Sequence, residues 1–256
     1  MPDLAIVSFV PLSNEIWPGK NSAIVSVPGC NFRCGYCFSG PMVLNPDSLE
    51  SIPVSDILKR LSDSKPGTNA VVITGGEPTL QGIRLMKFLE ECQHLGFRTR
   101  IETNGSNPFL IKNLIEEDLI DSVVVDLKAP LYSSKYFSAT QKHAVLPSIR
   151  RTMLLVENAG IDYEYRVVAI PGFHSKRDVF SICRKIQNAK RLVLHSFRTG
   201  NGTLDESFLR FSEPDYDFLL SLAQGIEKMN LGIREIRIRT DKGEETVNQI
   251  KQLKKY

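Results

Sequence analysis

The sequence predicts an α/β fold, a partial (β/α)6 barrel that carries an additional C-terminal helix and strand. Short apolar runs rich in β-branched residues recur along the chain, and segments with apolar residues three and four positions apart lie between them. Strands and helices that alternate in this way form parallel strand pairs joined by right-handed crossovers. A doubly wound sheet has the same local pattern and is the alternative architecture.

Six runs have the length and composition of buried strands. They are SAIVSV at 22–27, AVVIT at 70–74, FRTRIE at 97–102, SVVVDL at 122–127, YEYRVVAI at 163–170 and RLVLHSF at 191–197. The segments 83–96 and 146–160 have helical spacing and end in a glycine, which suits a helix C-cap. The predicted barrel core therefore spans residues 1–197, with residues 1–21 as a lead-in.

The regular alternation of predicted strands and helices ends after residue 197. Residues 198–215 are rich in Gly, Ser and Asp and predict a long loop, which a helix at about 215–230 and a strand at 233–240 follow. We interpret residues 198–256 as an extension packed on the same domain, where it covers the open edge or mouth of the barrel.

Composition limits the function classes. The chain has 256 residues, 42% of them hydrophobic, which fits one large domain. Lys and Arg number 32 against 29 Asp and Glu, without a long basic block, and so weak an excess does not predict a nucleic-acid partner. The amino terminus lacks the pattern of a signal peptide and no apolar run reaches membrane-spanning length, so we expect a cytoplasmic protein with no membrane partner.

Three of the five cysteines lie within eight positions, in PGCNFRCGYCFSG. Such crowding, with an odd total, favours metal ligation over a disulfide framework. Cys30, Cys34 and Cys37 follow the first core strand directly, and three thiolates can bind three irons of a cubane while the fourth iron stays open. A zinc site and a chance group of cysteines are the alternatives. Zinc in a structural role takes four ligands, and the nearest histidine, His94, is far away in a predicted helix.

Polar motifs also follow the other predicted strands, at the face where β/α barrels build their sites. In AVVITGGEP, Gly75 and Gly76 allow the backbone to approach a ligand closely, and Glu77 and Pro78 place a carboxylate and a carbonyl at the rim. An ordinary turn before a helix is the alternative.

The third and fourth strands end in IETNG and VDLKAP. Glu102, Thr103 and Asp126 would place oxygen atoms on one rim, where they are able to bind ribose hydroxyls or a monovalent or divalent cation. The alternative is that Asn104 simply belongs to a turn and that Asp126 joins Lys128 in a surface pair.

Two further candidates lie within later strands. Arg166 is a charge inside an apolar run, so it needs a partner or must face the cavity, and we favour the cavity over a core ion pair. A lone histidine in a strand is more often structural than a ligand. His195 is nevertheless included as a candidate cofactor contact. Lys128 is able to pair with a carboxylate.

CNFRCGYC resembles the CxxxCxxC signature of the radical S-adenosylmethionine (SAM) superfamily, with the aromatic Tyr36 where that family usually has one. The resemblance implies a [4Fe–4S] cluster on Cys30, Cys34 and Cys37, whose open iron binds the amino and carboxylate groups of SAM. It also implies reductive cleavage of SAM to methionine and a 5′-deoxyadenosyl radical. GGEP resembles the family motif that contacts the methionyl amino group. The candidate SAM contacts are then Tyr36, Gly75, Gly76, Glu77, Pro78, Thr103, Asn104, Asp126, Lys128, Arg166 and His195.

The longer series WPGK, TGGEPTLQ, ETNGSNP, DLKAP, YEYRVVAIPG, SFRTGNGTLD and EIRIRT resembles the activating proteins of anaerobic ribonucleoside-triphosphate reductases, which are glycyl-radical-enzyme activases. This resemblance implies hydrogen abstraction from a backbone glycine of a class III reductase. It also implies a low-potential electron donor such as flavodoxin or ferredoxin. One departure is Phe38-Ser39, where activases commonly have His-Asn. It leaves the three ligands intact and alters the groups around them.

Two other functions remain open from the sequence. The first is a radical SAM enzyme acting on a small heterocycle, similar to 7-carboxy-7-deazaguanine synthase, which shares the GGEPTLQ string. The second is not an enzyme at all: an iron–sulfur electron carrier or a zinc-stabilised interaction module. A carrier would need none of the strand-end motifs.

Overall fold

The computed structural model describes residues 3–65, 67–200 and 202–247. Within these residues the strands are β1 (Ser8–Ser13), β2 (Ser22–Val27), β3 (Ala70–Gly75), β4 (Arg98–Thr103), β5 (Ser122–Asp126), β6 (Asp162–Ala169), β7 (Arg191–Ser196), β8 (Glu235–Thr240) and β9 (Gly243–Thr246). The helices are α1 (Gly40–Leu44), α2 (Val54–Asp63), α3 (Ile83–His94), α4 (Pro108–Glu116), α5 (Ser133–Thr140), α6 (Leu146–Asn158), α7 (Lys176–Cys183) and α8 (Tyr216–Lys228). None of the helices in these ranges is both long enough and apolar enough to cross a membrane.

The chain folds into two compact units that interleave along the sequence. The first unit comprises Met1–Asn31, Ser39–Val124 and Pro147–Asp162, and the second comprises Phe32–Phe38, Val125–Leu146 and Tyr163–Tyr256. The sequence suggests a different boundary, after residue 197, between a barrel core and a C-terminal extension. That boundary stays a prediction. Residues 248–256 of the predicted extension lie outside the described residues.

In the first unit, β1 is antiparallel to β2, while β2, β3 and β4 run parallel in that order. The residues from Ala70 to Ile73 are fully buried, as expected for a parallel strand that is covered on both faces. The register pairs Val27 with Gly75. Because parallel strands end at the same edge of a sheet, the segments that follow β2, β3 and β4 share one edge.

In the second unit, β6, β7 and β8 are parallel, and β9 is antiparallel to β8. Strand β7 places the buried Leu192 and Leu194 on one face and Arg191 and His195 on the other, since successive side chains of a strand alternate. On the charged face, Arg191 Nε lies 3.0 Å from Glu235 Oε2 of β8. The face of β7 that carries Arg191 and His195 therefore combines an ion pair with the buried, apolar Val193.

The structure confirms the α/β fold and its mainly parallel strands. The six predicted strands appear as β2 to β7, with ends that differ by a residue or two. Strands β1 and β9 were missed, and the reasons are local. Pro11 interrupts the apolar pattern of β1, and β9, with the sequence GEET, lacks an apolar run altogether. In addition, a short 3-10 helix, Glu206–Arg210, lies within the predicted long loop.

Candidate functional site

The glycine loop after β3 lies against the backbone that leads to Cys30. The N–H of Gly76 donates to the carbonyl of Val27 at 2.8 Å, and the N–H of Glu77 donates to the carbonyl of Gly29 at 2.7 Å. A Cβ atom on Gly76 would come within 1.9 Å of the Gly29 carbonyl oxygen. The two glycines were predicted to let a ligand approach. The structure shows that the chain's own backbone already approaches Gly76, a close contact that glycine makes possible.

Gly76→Ala is therefore expected to lower the free energy of unfolding by about 3 kcal/mol, because backbone atoms have to move to admit the methyl group. Gly200→Ala is the matched control: no atom outside its chain neighbours lies within 4 Å of the added Cβ. We expect that control to change stability by less than about 0.5 kcal/mol. Urea unfolding followed by circular dichroism measures both, and equal losses would contradict the close approach at Gly76.

Glu77 is a buried carboxylate that joins the ends of β3 and β4. It accepts hydrogen bonds from the N–H and the hydroxyl of Thr79 (3.1 and 2.6 Å), from the hydroxyl of Thr103 (2.6 Å) and from the N–H of Asn104 (2.7 Å). Burial raises the pKa of Glu77, although the bonds from Asn104, Thr103 and Thr79 partly offset that rise. The sequence proposed Glu77 as a SAM contact, whereas the structure gives its carboxylate four donors from the protein, which suit a group that positions two loops.

The loop after β4 reaches the first cysteine of the motif. Asn104 Nδ2 lies 2.9 Å from Asn31 Oδ1 and 4.0 Å from the sulfur of Cys30, while Asn104 Oδ1 accepts from the N–H of Ser106. Asn31 in turn donates to the hydroxyl of Ser106 at 2.8 Å. Sequence reasoning missed Asn31, although its position directly after Cys30 was a signal. An amide N–H beside a cysteine sulfur is a group that tunes the potential of an iron–sulfur cluster.

In the second unit, Cys34 and Cys37 bracket a tight turn in which the N–H of Cys37 donates to the carbonyl of Cys34 at 2.9 Å. Of the three motif cysteines, Cys34 is buried, and Cys30 and Cys37 are half-buried. Tyr36 is buried, and its hydroxyl has no hydrogen-bond partner among the described residues. Burial, followed by the neighbouring Cys34, raises the pKa of Tyr36 well above its usual value.

Asp126 sits between two cations. Its Oδ1 lies 2.6 Å from Arg166 Nε, and its Oδ2 lies 3.2 Å from Arg166 Nη2 and 2.9 Å from Lys128 Nζ. Burial by itself would raise the pKa of Asp126, but Arg166 and Lys128 outweigh it and hold that pKa far below its usual range. Lys128 pairs with Asp126, as the alternative interpretation of the sequence had it, but the pair is largely buried rather than on the surface. For Arg166, where we favoured the cavity, the structure shows the ion pair.

Two histidines of the second unit are neutral near pH 7. His195 Nδ1 lies 2.9 Å from the carbonyl of Ser196, and burial, followed by Arg166, lowers the pKa of His195 to about 4. His174 Nε2 lies 3.1 Å from the carbonyl of Lys128, and burial lowers its pKa to about 4 as well. Sequence reasoning missed His174; the signal was its place in PGFH, just beyond the carboxyl end of β6.

The predicted cation finds no support. Asp126 already has two cationic partners, and the Glu102 carboxylate accepts a hydrogen bond from the hydroxyl of Thr74 at 2.9 Å. Across the residues that the structure describes, no three His, Cys, Asp or Glu side chains form a group able to hold a single metal ion.

The second unit also contains an open cavity of about 760 Å³ beyond the ends of β7 and β8. Side chains of both signs line it, among them Arg198, Glu213, Asp241 and Lys242. None of the predicted site residues lines this cavity, although Ser196, whose carbonyl contacts His195, does.

Comparison with known proteins identifies the family. The model of the radical SAM superfamily matches residues 24–178, which is more than half of the chain. This chain belongs to the radical SAM superfamily. The family implies a [4Fe–4S] cluster and SAM, and the match includes the cysteine motif and the loops after β3, β4, β5 and β6.

Individual relatives are distant. A Methanocaldococcus jannaschii protein with the provisional name glycyl-radical enzyme activating enzyme is 28% identical over 237 residues, which cover 91% of this chain and 97% of the relative. A 7-carboxy-7-deazaguanine synthase from Methanopyrus kandleri is 34% identical over 130 residues, which cover 44% of this chain and 51% of the relative. Among solved structures, TYW1 with a lysine-pyruvate adduct superposes with a TM-score of 0.63 at 14% identity, over 88% of this chain and 79% of that one. That likeness shows the fold alone.

Proposed function

We propose that this radical SAM protein activates a glycyl-radical enzyme, specifically an anaerobic (class III) ribonucleoside-triphosphate reductase, by abstracting hydrogen from a backbone glycine. The observation that carries the proposal is the alignment with the M. jannaschii protein, because it extends over nearly the whole of both chains. The series of motifs from WPGK to EIRIRT, which resembles reductase activases, supports the same choice of partner.

The cluster ligands in this proposal are Cys30, Cys34 and Cys37. Two observations support the fit: Tyr36, which lies between Cys34 and Cys37 in the sequence, has a buried hydroxyl without a described partner, and an amide N–H lies beside the Cys30 sulfur. When bound, the cluster supplies one electron to SAM, and the cleavage of SAM gives methionine and the 5′-deoxyadenosyl radical that abstracts hydrogen. The protein contributes three thiolates and leaves one iron free for SAM.

The remaining candidates are proposed to seat SAM. In the first unit, the backbone of Gly75 to Pro78 and the side chains of Thr103 and Asn104 form the rim beside Cys30, and Glu77 holds that rim together through its four hydrogen bonds. In the second unit, Lys128 and Arg166 supply positive charge for the SAM carboxylate, while Asp126 fixes their orientation.

Tyr36 and His195 complete the proposed SAM contacts as an aromatic ring and a neutral imidazole. A low-potential flavodoxin or ferredoxin is the proposed electron donor.

Mixing the reduced, SAM-loaded protein with the class III reductase of the same organism is expected to yield a glycyl doublet in the electron paramagnetic resonance spectrum. The doublet should require SAM, and it should be absent with the Cys34→Ala variant. A reductase whose radical-site glycine is replaced by alanine is the matched control for the position of the radical. Formation of 5′-deoxyadenosine without any doublet would reject the reductase as the substrate.

A small heterocyclic substrate is the second candidate, because the M. kandleri synthase is the more similar of the two relatives over the region it matches. That region covers less than half of this chain, and for this reason the candidate ranks second. It predicts 5′-deoxyadenosine formation that a small heterocycle, rather than the reductase, stimulates. The family match argues against an electron carrier or a zinc-stabilised interaction module.

A further inference from the structure

The segment Asp205–Phe211, here called the strap, lies within the second unit. Its centre is the short 3-10 helix Glu206–Arg210, and the carboxylate of Asp205 caps that helix by accepting from the N–H of Ser207 at 2.9 Å. The exposures of neighbouring side chains differ sharply: Phe208 is 7% exposed, whereas Leu209 is 50% exposed. The strap is therefore anchored through Phe208.

The strap contacts the short loop between Cys34 and Cys37. The N–H of Asp205 donates to the carbonyl of Gly35 at 3.0 Å. The ring of Phe208 covers the same residue so closely that a Cβ on Gly35 would come within 2.2 Å of Phe208 Cε2. The rings of Phe208 and Tyr36 are 6.0 Å apart at 55°. Backbone and side chain thus both bind the strap to the two residues between Cys34 and Cys37.

Three aromatic rings pack together at the strap, two from the strap itself and one from outside it. Phe173, in the turn after β6, lies 5.1 Å from Phe208 and 6.0 Å from Phe211, and Phe208 lies 5.3 Å from Phe211, measured between ring centroids. The rings meet at about 60°, the tilted geometry that aromatic pairs prefer. Phe208 is buried and the other two rings are half-buried, so the strap packs through apolar contacts of its own.

We propose that the strap holds Gly35 and Tyr36 in place so that Cys34 and Cys37 keep their positions and stay shielded from water, with Phe208 as the positioning residue. The proposal rests on the proposed function in one respect, namely that these thiolates bind the cluster. Solvent exposure and the groups around the sulfurs set the potential and the lifetime of such clusters. Phe208 acts on the cluster through the loop that carries its ligands.

The first test measures thiol reactivity in the full-length protein without cluster. Phe208→Ala is expected to raise the rate of iodoacetamide alkylation at Cys34 and Cys37 at least about tenfold, because the loop opens more often. Trypsin cleaves after Arg33, so mass spectrometry reads these two cysteines apart from Cys30. Leu209→Ala, a truncation at the exposed neighbour, is the matched control and should leave the rates unchanged.

Cys92 and Cys183 report on global unfolding, since both are fully buried. If they also react in Phe208→Ala, the smaller change Phe208→Leu replaces it as the deciding variant. Selective reaction of Cys34 and Cys37 supports the strap. Unchanged rates at these two thiols in a folded variant overturn it.

The second test uses the clash at Gly35. Gly35→Ala should displace the ring of Phe208 and raise the reactivity of the same two thiols, whereas in the Phe208→Ala background the extra methyl group should change little. Independent, multiplicative effects of the two substitutions would show that Gly35 and Phe208 do not act on each other.

The third test is made on the reconstituted protein. Phe208→Ala should speed the loss of cluster absorbance in the presence of a chelator and shift the cluster midpoint potential, while Leu209→Ala should do neither. If the wild-type chain binds no cluster, the proposed function fails, and the alkylation results still decide whether the strap positions the loop. A wild-type cluster with equal lifetime and potential in Phe208→Ala contradicts the role of Phe208.

Discussion

Replacing Cys30, Cys34 or Cys37 by alanine is expected to reduce SAM cleavage to background, while Cys92→Ala and Cys183→Ala leave it near the wild-type level. Each motif thiolate is proposed to hold one iron, so the loss of any one exposes a second iron and the cubane is no longer retained. Iron content, cluster absorbance and 5′-deoxyadenosine formation after anaerobic reconstitution measure the effect.

The two control cysteines, Cys92 and Cys183, lie in core helices rather than in the motif loop. Both are fully buried, in α3 and α7, and burial raises the pKa of the Cys92 thiol above its usual range and that of Cys183 to about 12. Such thiols behave as small apolar side chains rather than as metal ligands. An equal loss of activity in all five variants would mean that the ligands are misassigned. Tightly bound zinc without SAM turnover would reject the cluster itself.

Asp126→Asn is expected to lower the free energy of unfolding by about 3 kcal/mol, because it removes the negative charge that lies between the buried cations Arg166 and Lys128. The side chains of the three residues are between 12% and 17% exposed, so water compensates little for the lost partner. Urea unfolding at pH 7 measures the change. Glu116→Gln, which breaks an exposed i,i+4 pair with Lys112, is the control and should cost no more than about 0.5 kcal/mol.

The effect of Asp126→Asn should also depend on pH. The pKa of Asp126 is lower in the folded chain than in the unfolded chain, so the stabilisation that it provides is fully present above about pH 4 and is lost as the pH falls further. The difference between wild type and variant should therefore shrink in acid. Adding Arg166→Gln to Asp126→Asn should recover part of the lost stability, since it removes one of the two cations that repel each other once the Asp126 charge is gone. A variant as stable as the Glu116→Gln control would contradict the buried ion cluster.

The strands were predictable because their signal is local. Buried runs such as 70–74 and 122–127 are apolar over their whole length, and in the structure they become β3 and β5. Strands β1 and β9 were not predictable in the same way, because they form by antiparallel pairing with a neighbour rather than by apolar pattern.

The same distinction applies to the site residues: those defined by neighbouring positions were predictable, and those that depend on distant partners were not. The spacing of Cys30, Cys34 and Cys37 is contained in eight consecutive positions, so the chemistry of the loop follows from neighbouring residues alone. The partner of Arg166 could not be inferred, because Asp126 lies 40 positions away and a charge in an apolar run has many conceivable partners. The role of Glu77 depends likewise on donors from the loop after β4.

By itself the sequence determined the α/β fold class, the family and the thiols that make a cluster chemically reasonable, since periodicity and motif spacing reside in neighbouring residues. Tertiary structure decided that Glu77 ties two loops together, that Asp126 holds two cations and that Phe208 covers Gly35. Apart from the bonds of Glu77 to Thr79 and of Asp126 to Lys128, these contacts join residues 26 to 173 positions apart. The physical reason is that a hydrogen bond, an ion pair or a close ring contact requires a partner at a defined distance, and folding alone brings such distant residues together.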